Sequence, residues 1–466
     1  MKGHLVLSRP RLVVLAARAK KLGAVDLALR YNPVVRHRVT RSIGAFADAD
    51  RAGRHSLAEA LTASVLAAAR HTAYGRDFGP RLQDWPVLRK EQVRDCPADF
   101  VRGGLARIPA ATSGSTGMPL QLVRSATCVA AEQVFLDRIV PVPGLTWARA
   151  RVAVLRADTV KDPADQSPPF GRVTHRGCRL VLSSPHFSPE TLSWYLDALA
   201  DFRPDILWMT PTTGSNLLHL LATTGRRLQI PLVITSSESP PPGFRANIKL
   251  DLGACLVDYY GLSERTCFAA SAVEDQYFFE PAYGRVELMP SDEDDTTDGQ
   301  RHVAIVATGY WNSAMPLVRY DTGDRAMVPV SADRHELEAI ALGLRPFRGI
   351  AERSSNFIYR TNGLRFSALN LLPRDVDNLL RMQAVQQRIG SVLLRVLVRP
   401  GFGPNDRAKL EANARAALPP DIDFHIEIAD RLETTEQGKT PFVIRQSAEI
   451  ATEAAALSPL PPGPAY

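Results

Sequence analysis

A segment of small hydroxyl residues punctuated by two glycines is the most informative part of this 466-residue chain. It reads Ala-Thr-Ser-Gly-Ser-Thr-Gly-Met-Pro over residues 111–119. Glycine permits positive φ and removes Cβ bulk, so backbone N–H groups can converge on an anion while the hydroxyls add donors without adding negative charge. The segment lacks the GxxxxGK of a Walker P-loop and the GxSxG of a serine hydrolase. It predicts a phosphate-binding loop, with a polar hairpin turn as the alternative, and the residues concerned are Thr112, Ser113, Gly114, Ser115, Thr116 and Gly117.

Three further strings carry side chains suited to holding a nucleotide. Residues 258–264, Asp-Tyr-Tyr-Gly-Leu-Ser-Glu, follow a β-rich run, and ligands of open α/β sheets bind outside the carboxyl ends of strands. Glu264 can there hold Mg²⁺ against a phosphate, and a tyrosine offers a flat face for a base. Asp324 ends the string 316–324 and can accept hydrogen bonds from two vicinal ribose hydroxyls. Lys439 follows a glycine, and the chain has only eight lysines against forty-eight arginines. A lysine next to a glycine is therefore less expected by chance here than in most proteins.

Taken in this order, the four strings resemble the adenylate-forming enzyme superfamily, which contains acyl-CoA synthetases, luciferases and peptide-synthetase adenylation domains. Three longer segments, 85–94, 234–238 and 308–324, look like motifs of its phenylacetate–CoA ligase and capsule-biosynthesis branch. The resemblance extends over residues 70–445, approximately. It implies a large layered N-terminal α/β domain and a small, mobile α+β C-terminal domain.

The resemblance also implies a role for each matching position. The loop 112–117 binds the ATP phosphates, and the small domain brings a lysine to the reacting groups. The remaining implied roles are Glu238 and Tyr260 for the adenine and carboxylate side of the site, Glu264 for Mg²⁺, Asp324 for the ribose, Arg353 for the nucleotide near the hinge, and Lys439 for the acyl carboxylate and α-phosphate.

Two departures from the family pattern stand out. Met118 occupies a position where family loops often carry lysine, and the hinge reads Glu-Arg-Ser-Ser-Asn over 352–356 where the family has Gly-Arg-x-x-Asp. The hinge change bears on the thioester-forming conformation more than on adenylation, and Asn356 tolerates unusual φ and ψ.

The implied function is ATP-dependent activation of a carboxylic acid to acyl-AMP, followed by transfer to a thiol, with coenzyme A as the expected acceptor. The implied cofactors are ATP, Mg²⁺ and coenzyme A. Two alternatives stay open: transfer to a carrier-protein thiol or an amine, and a non-catalytic, membrane-associated scaffold that retains nucleotide binding.

Alternating apolar runs support the α/β fold class independently of the resemblance. Short β-rich runs alternate with helical ones between about residues 100 and 330, which is typical of a layered α/β domain. The predicted division is a basic helical arm at 1–54, a nucleotide-binding domain at 55–350, a small domain at 354–450 and a Pro-rich tail at 451–466. The predicted strands of the large domain are Val152–Leu155, Ile206–Met209, Leu232–Thr235 and Cys255–Tyr260. The predicted helices are Leu57–Arg70, Phe187–Asp201 and Thr213–Thr224.

The charge of the chain is concentrated at its N-terminus. Residues 1–54 hold twelve Lys and Arg against three Asp, a net charge of +9, whereas the whole chain carries +7. With few aromatic residues between the charges, a nucleic-acid groove is not expected. A solvated or partner-facing helical arm, peripheral contact with an anionic membrane and a targeting segment are the three interpretations.

Composition sets the remaining limits. The 45% hydrophobic and 23% charged fractions exclude a globally disordered chain. No apolar run approaches the roughly 20 residues of a membrane span, and five scattered cysteines without a CxxC pair favour the reducing cytoplasm. His186 and Glu190 stand four residues apart and are predicted to be surface polar groups.

Overall fold

The computed structural model describes residues 29–457 apart from short gaps at 105–106, 112–119, 157, 242, 291–295, 298, 352–356, 367–368, 370–371, 399–400, 434–440 and 447–448. Three short 3-10 helices lie at Leu82–Asp84, Pro97–Phe100 and His175–Gly177. The α-helices of the described residues are α1 (Pro33–Asp48), α2 (Arg51–Ala69), α3 (Lys90–Asp95), α4 (Ala126–Arg138), α5 (Leu192–Phe202), α6 (Pro211–Thr224), α7 (Phe244–Leu252), α8 (Arg334–Ala341), α9 (Pro404–Ala417) and α10 (Glu449–Leu457).

The strands fall into five groups along the described chain. Their bounds are β1 (Ile108–Ala111), β2 (Gln121–Arg124), β3 (Val152–Leu155), β4 (Gly171–Thr174), β5 (Arg179–Leu182), β6 (Ile206–Met209), β7 (Leu232–Ser236), β8 (Cys255–Gly261), β9 (Phe268–Val273), β10 (Gln276–Phe279), β11 (Gly284–Pro290), β12 (Thr296–Thr297), β13 (Gln300–Gly309), β14 (Tyr320–Pro329), β15 (Gly349–Ala351), β16 (Ile358–Tyr359), β17 (Arg365–Phe366), β18 (Leu379–Arg388), β19 (Ser391–Val398), β20 (Asp423–Ile428) and β21 (Val443–Arg445).

An eight-stranded sheet forms the centre of the large domain. Its order is β10-β9-β8-β7-β6-β3-β5-β4, with the five strands from β8 to β5 parallel and antiparallel strands at both edges. The central strands are continuous apolar runs because both faces of a parallel sheet are buried. Alternate residues of β3, β6 and β7 enter two different cores, one packed by α5, α6 and α7 and the other by α1 and α4. This arrangement confirms the predicted α/β class.

A second, antiparallel sheet lies beside the first and carries one of the predicted strings. Its strands run in the order β11-β13-β14-β15, with β12 added to β13. The segment after Trp85 is attached to the start of β14, because Leu88 N donates to the Arg319 oxygen and Asp321 N donates to the Leu88 oxygen, both at 2.9 Å. Segments far apart in the chain therefore fix the position of Tyr320.

The C-terminal unit is a four-stranded sheet with helix α9 packed on it. The strand order is β20-β19-β18-β21, and Leu394, Val396 and Leu410 are fully buried in its core. The small hairpin β16–β17 docks this unit on the large domain. Asn216 of α6 donates to the Arg365 oxygen at 2.8 Å and accepts from its nitrogen at 3.2 Å.

The helix α1 is built into the large domain, which differs from the predicted basic arm over 1–54 in the part of that segment that the structure describes. Val39 and Phe46 of α1 are 0% and 2% exposed and share a core with Phe135 of α4. Arg36 forms an ion pair of 2.8 Å with Asp137. Apolar burial and this ion pair attach α1 to the sheet, and the predicted boundary between residues 54 and 55 falls inside α2. Residues 1–28 lie outside the described part of the chain.

The end of the described chain also differs from the predicted tail over 451–466. Helix α10 extends to Leu457, and Ile450 and Ala454 are buried against Phe357 and Tyr359. Apolar contacts with β16 therefore hold the first part of that segment on the small unit. Residues 458–466 lie beyond the described chain.

His186 is buried, so the prediction of a surface polar group is wrong for this residue. It is 1% exposed, and its Nδ1 lies 2.7 Å from Ser183 Oγ. Its Nε2 lies 3.1 Å from the backbone oxygen of Asp162. These two partners satisfy both ring nitrogens and make burial of the imidazole possible. Glu190 is exposed as predicted.

None of the helices in the described residues combines the length and the apolar character of a membrane span.

Candidate functional site

A two-stranded hairpin holds the ends of the predicted phosphate loop. Strands β1 and β2 pair in a register that places Ala111 opposite Gln121. The hairpin is tied to the end of β8, since Arg124 Nη2 donates to the Ser263 backbone oxygen at 2.9 Å. Residues 112–119, which include the predicted donors Thr112 to Gly117, lie outside the described residues. The hairpin that carries this segment is thus attached to the residue that precedes Glu264.

Glu264 and Tyr320 form the first contact pair of the site. Glu264 follows β8 at the carboxyl edge of the parallel sheet and is 6% exposed. The Tyr320 hydroxyl donates to Glu264 Oε1 at 2.8 Å. Burial, together with the neighbouring Glu264 carboxylate, raises the pKa of Tyr320 above its ordinary value. The phenol therefore stays protonated and orients the carboxylate as a hydrogen-bond donor.

Tyr260 and Asp324 form the second pair, adjacent to the first. The Tyr260 hydroxyl donates to Asp324 Oδ2 at 3.0 Å. The Asp324 backbone nitrogen donates to Thr322 Oγ1 at 3.1 Å, which fixes the turn of the main chain. Tyr260 is 2% exposed, so most of its ring packs in the core between the two sheets. The pair joins the ends of β8 and the start of β14 at one place.

Glu238 follows β7, the strand next to β8, and has a different partner. Its Oε2 accepts from the Thr212 backbone nitrogen at 2.9 Å. Thr212 lies in the first turn of α6, where unpaired N–H groups and the helix dipole favour a carboxylate. Within the described residues this hydrogen bond ties Glu238 to α6 rather than to the Tyr260–Asp324 pair.

Three non-glycine residues with positive φ lie next to these carboxylates and phenols. Ser237 precedes Glu238 with φ 77°, Arg265 follows Glu264 with φ 60°, and Arg319 precedes Tyr320 with φ 49°. A left-handed conformation at a non-glycine residue costs of order 1–3 kcal/mol and persists only where surrounding contacts enforce it. Arg265, for example, forms a buried ion pair with Glu132. The backbone is thus held in strained conformations at three positions that adjoin predicted site residues or their partners.

The predicted Lys439 and Arg353 lie outside the described residues, but the ends of the Lys439 segment are fixed. Gln383 is fully buried in β18, and its Nε2 donates to the backbone oxygens of Glu433 and Pro441, both at 2.9 Å. Its Oε1 accepts from the Glu433 nitrogen at 3.0 Å. One glutamine therefore joins the two ends of the segment 434–440.

Sequence reasoning missed three residues that the structure brings into or next to the site. Tyr320 was part of a recognised string but received no role, and Gln383 carries no sequence signal at all. Arg156 was missed although it directly follows the apolar run of β3, which is the position at which ligand-binding side chains of parallel sheets occur.

The described residues contain no group of three or more His, Cys, Asp or Glu side chains that could hold a metal ion. Glu264 is a single buried carboxylate whose Oε1 has a hydrogen-bond donor. Such a site fits Mg²⁺, which is usually bound by one or two carboxylates together with substrate phosphates.

Comparisons with known proteins identify the fold. No protein-family profile matches the chain. Protein CapK of Staphylococcus aureus is 23% identical over 372 residues, which cover 78% of this chain and 80% of that protein. A crystal structure of 2-hydroxyisobutyryl-CoA ligase, in complex with 2-HIB-AMP and CoA in the thioesterification state, matches with a TM-score of 0.54 and 15% identity, covering 85% of this chain and 90% of the ligase. The chain therefore has the fold of the adenylate-forming CoA ligases, which confirms the resemblance that its sequence motifs indicated.

Proposed function

We propose that this protein activates a carboxylic acid with ATP to form acyl-AMP and pyrophosphate, and then transfers the acyl group to a thiol. The observation that carries the proposal is the convergence of the Glu264–Tyr320 and Tyr260–Asp324 pairs at the edge where the hairpin of the Thr112–Gly117 loop is anchored. These are the positions to which the resemblance assigns the metal, the nucleotide and the phosphates.

In the first half-reaction, an oxygen of the acid attacks the α-phosphorus of ATP. The O–P bond of the acyl-adenylate forms while the bond from the α-phosphorus to the β-phosphate bridge oxygen breaks and pyrophosphate leaves. Because two anions meet in this step, fixed cations are required to lower its barrier. We assign this role to Lys439, carried by the small domain at 354–450, and assign the ATP phosphates to Thr112–Gly117. Arg353 would contact the nucleotide near the boundary of the two domains.

The second nucleotide contact is proposed for Asp324. The Tyr260 hydroxyl donates to Asp324 Oδ2, and we assign the Asp324 carboxylate to the ribose hydroxyls. Tyr260 then acts as the residue that orients the carboxylate. We assign Glu238 to the acid side, since it follows the strand adjacent to that of Tyr260.

Mg²⁺ would be held by Glu264 together with the phosphate oxygens of ATP. A bound Mg²⁺ would neutralise charge on the phosphates as pyrophosphate leaves. The contribution of this chain is the orientation of the carboxylate by Tyr320 and its burial away from water.

In the second half-reaction, a thiolate attacks the acyl carbonyl carbon and AMP leaves with the bridging oxygen. We propose coenzyme A as the acceptor because a ligase of the same fold binds CoA together with an acyl-adenylate. The five unpaired cysteines suit a reducing compartment, and we propose the cytoplasm as the place of the reaction.

The test is pyrophosphate release from ATP with a panel of aryl, fatty and amino acids, with and without coenzyme A. We expect release with at least one acid, and formation of its thioester only when coenzyme A is added. The variant Glu264→Gln should lose most of this activity, whereas Glu91→Gln, on an exposed helix, should retain it. If no acid of the panel supports pyrophosphate release, the proposal is wrong. If acyl-AMP forms but does not react with coenzyme A, the acyl acceptor is a different molecule.

A further inference from the structure

A second group of polar side chains lies at the carboxyl edge of the parallel sheet, separate from the pairs described above. We call it the Arg156 cluster; it consists of Arg156, Trp208, Ser236, Ser237 and Tyr259. The parallel register places Val154, Trp208 and Ile234 side by side on one face of the sheet. Side chains two residues along a strand return to the same face, so Arg156 and Ser236 share the face of Trp208. Ser236 in turn pairs with Tyr259 of β8.

Direct contacts hold this cluster together. The Arg156 guanidinium lies over the Trp208 ring, 4.3 Å from its centroid, and its Nη2 donates to Ser237 Oγ at 2.7 Å. The Trp208 and Tyr259 rings lie 6.5 Å apart. Ser237 is the residue with φ 77°, so strained backbone places its hydroxyl against the arginine.

Two buried polar atoms of the cluster have no hydrogen-bond partner among the described residues. They are Arg156 Nε and Trp208 Nε1, whereas Ser236 has the Tyr259 hydroxyl beside it. Buried polar groups in native proteins are almost always paired, and a group that is not requires an explanation. Both are N–H donors, so the missing partner is an acceptor.

The charge of the cluster is positive. Burial raises the pKa of Tyr259, so this phenol stays neutral beside the arginine. Asp158 interacts electrostatically with Arg156 and also with Arg172 and Arg179, so the arginines around the cluster outnumber this carboxylate. The guanidinium is the permanent charge here, because arginine remains protonated at all physiological pH values. A positive site with unused donors selects an anion.

The position of the cluster connects it with the acid substrate. Ser236 and Ser237 immediately precede Glu238, to which the acid side of the site is assigned. We propose that the Arg156 cluster binds a second anionic group, a carboxylate, at the far end of the acid that the enzyme activates, so that the substrates are dicarboxylic acids. This inference rests on the proposed function for the reaction at the other end of the substrate.

The test compares matched pairs of acids that differ by one carboxylate. The pairs are hexanoate with hexanedioate, octanoate with octanedioate, and 4-methylbenzoate with benzene-1,4-dicarboxylate. Binding is measured by calorimetry with the α,β-methylene analogue of ATP present, which prevents adenylation. In at least one pair, the parental protein should bind the diacid tenfold or more tightly than the monoacid, as a charge-assisted contact predicts.

Three variants identify the residue responsible. Arg156→Met should abolish the preference for the diacid while monoacid binding stays within about twofold, and Arg156→Lys should retain part of the preference. Arg415→Met removes an exposed arginine of the C-terminal unit and serves as the matched control. Equal or tighter binding of the monoacid in all three pairs overturns the inference, as does an unchanged preference in Arg156→Met.

Failure of the inference is distinguishable from failure of the proposed function. Pyrophosphate release with monoacids and diacids alike, without any preference that depends on Arg156, supports the function and overturns the second-anion site. Arg156-dependent binding of a diacid without pyrophosphate release supports the anion site and contradicts the function.

Discussion

The hydrogen bond from Tyr320 to Glu264 provides a sensitive test of the site, because one atom can be removed without disturbing the packing. Tyr320→Phe deletes the hydroxyl and keeps a ring that is fully buried. The lost contact is a 2.8 Å hydrogen bond to a buried carboxylate. Hydrogen bonds to charged groups contribute about 1.5–3 kcal/mol, which corresponds to roughly a 10- to 150-fold change in a rate or an equilibrium constant.

The assay is acid-dependent ATP–pyrophosphate exchange at a series of Mg²⁺ concentrations. If Tyr320 orients Glu264 for the metal, kcat/KM of Tyr320→Phe should fall by about that factor, and the Mg²⁺ concentration for half-maximal rate should rise. Tyr74→Phe is the matched control, because the buried Tyr74 hydroxyl has no hydrogen-bond partner among the described residues. Its exchange rate should equal that of the parental protein.

Thermal melts of both variants separate a catalytic effect from a structural one. Pyrophosphate exchange by Tyr320→Phe at the parental rate and with the parental Mg²⁺ dependence would show that Tyr320 does not orient Glu264 for the metal. A lowered Tm with unchanged exchange would assign the Tyr320–Glu264 contact to stability alone.

Three further predictions concern the parts that surround the site. Phe46→Ala should lower the free energy of unfolding by about 3–5 kcal/mol in urea titrations. Val34→Ala, at a residue that is 75% exposed, should change it little. Equal effects of the two substitutions would show that α1 does not pack on the large domain. Gln383→Leu should reduce pyrophosphate exchange by up to about 100-fold with ATP binding nearly unchanged, because it releases both ends of the Lys439 segment. Exchange at the parental rate would show that other contacts position this segment. Asp324→Ala should raise the KM for ATP by tenfold or more with a smaller change in kcat, and an unaltered KM would remove Asp324 from the nucleotide site.

The strands of the large domain could be predicted from the sequence because they are continuous apolar runs. The predicted bounds of Val152–Leu155 and Ile206–Met209 agree with β3 and β6. Both faces of these strands are buried, so the signal lies within four consecutive residues and does not depend on distant parts of the chain. The nucleotide-binding strings could be recognised for a similar reason, because each is a short run of consecutive residues.

Contacts between distant segments could not be predicted in this way. Tyr320 is 56 residues from Glu264, and the Asp137 partner of Arg36 is 101 residues away. A count of charges therefore described residues 1–54 as a basic arm, although the structure attaches α1 to the large domain. His186 has polar spacing typical of a surface, but it is buried between the Ser183 hydroxyl and a backbone oxygen of Asp162, and the second partner cannot be predicted from a local pattern.

The fate of the carboxylate oxygen shows whether the carboxylate of an acid attacks the α-phosphorus of ATP. The acid found active in the pyrophosphate screen is labelled with ¹⁸O in its carboxyl group and incubated with ATP, Mg²⁺, coenzyme A and the protein. We predict one ¹⁸O atom in the phosphate of the released AMP, and no labelled AMP from Lys439→Ala on the same timescale. Formation of ADP with ¹⁸O in inorganic phosphate, or of AMP without label, would contradict the account.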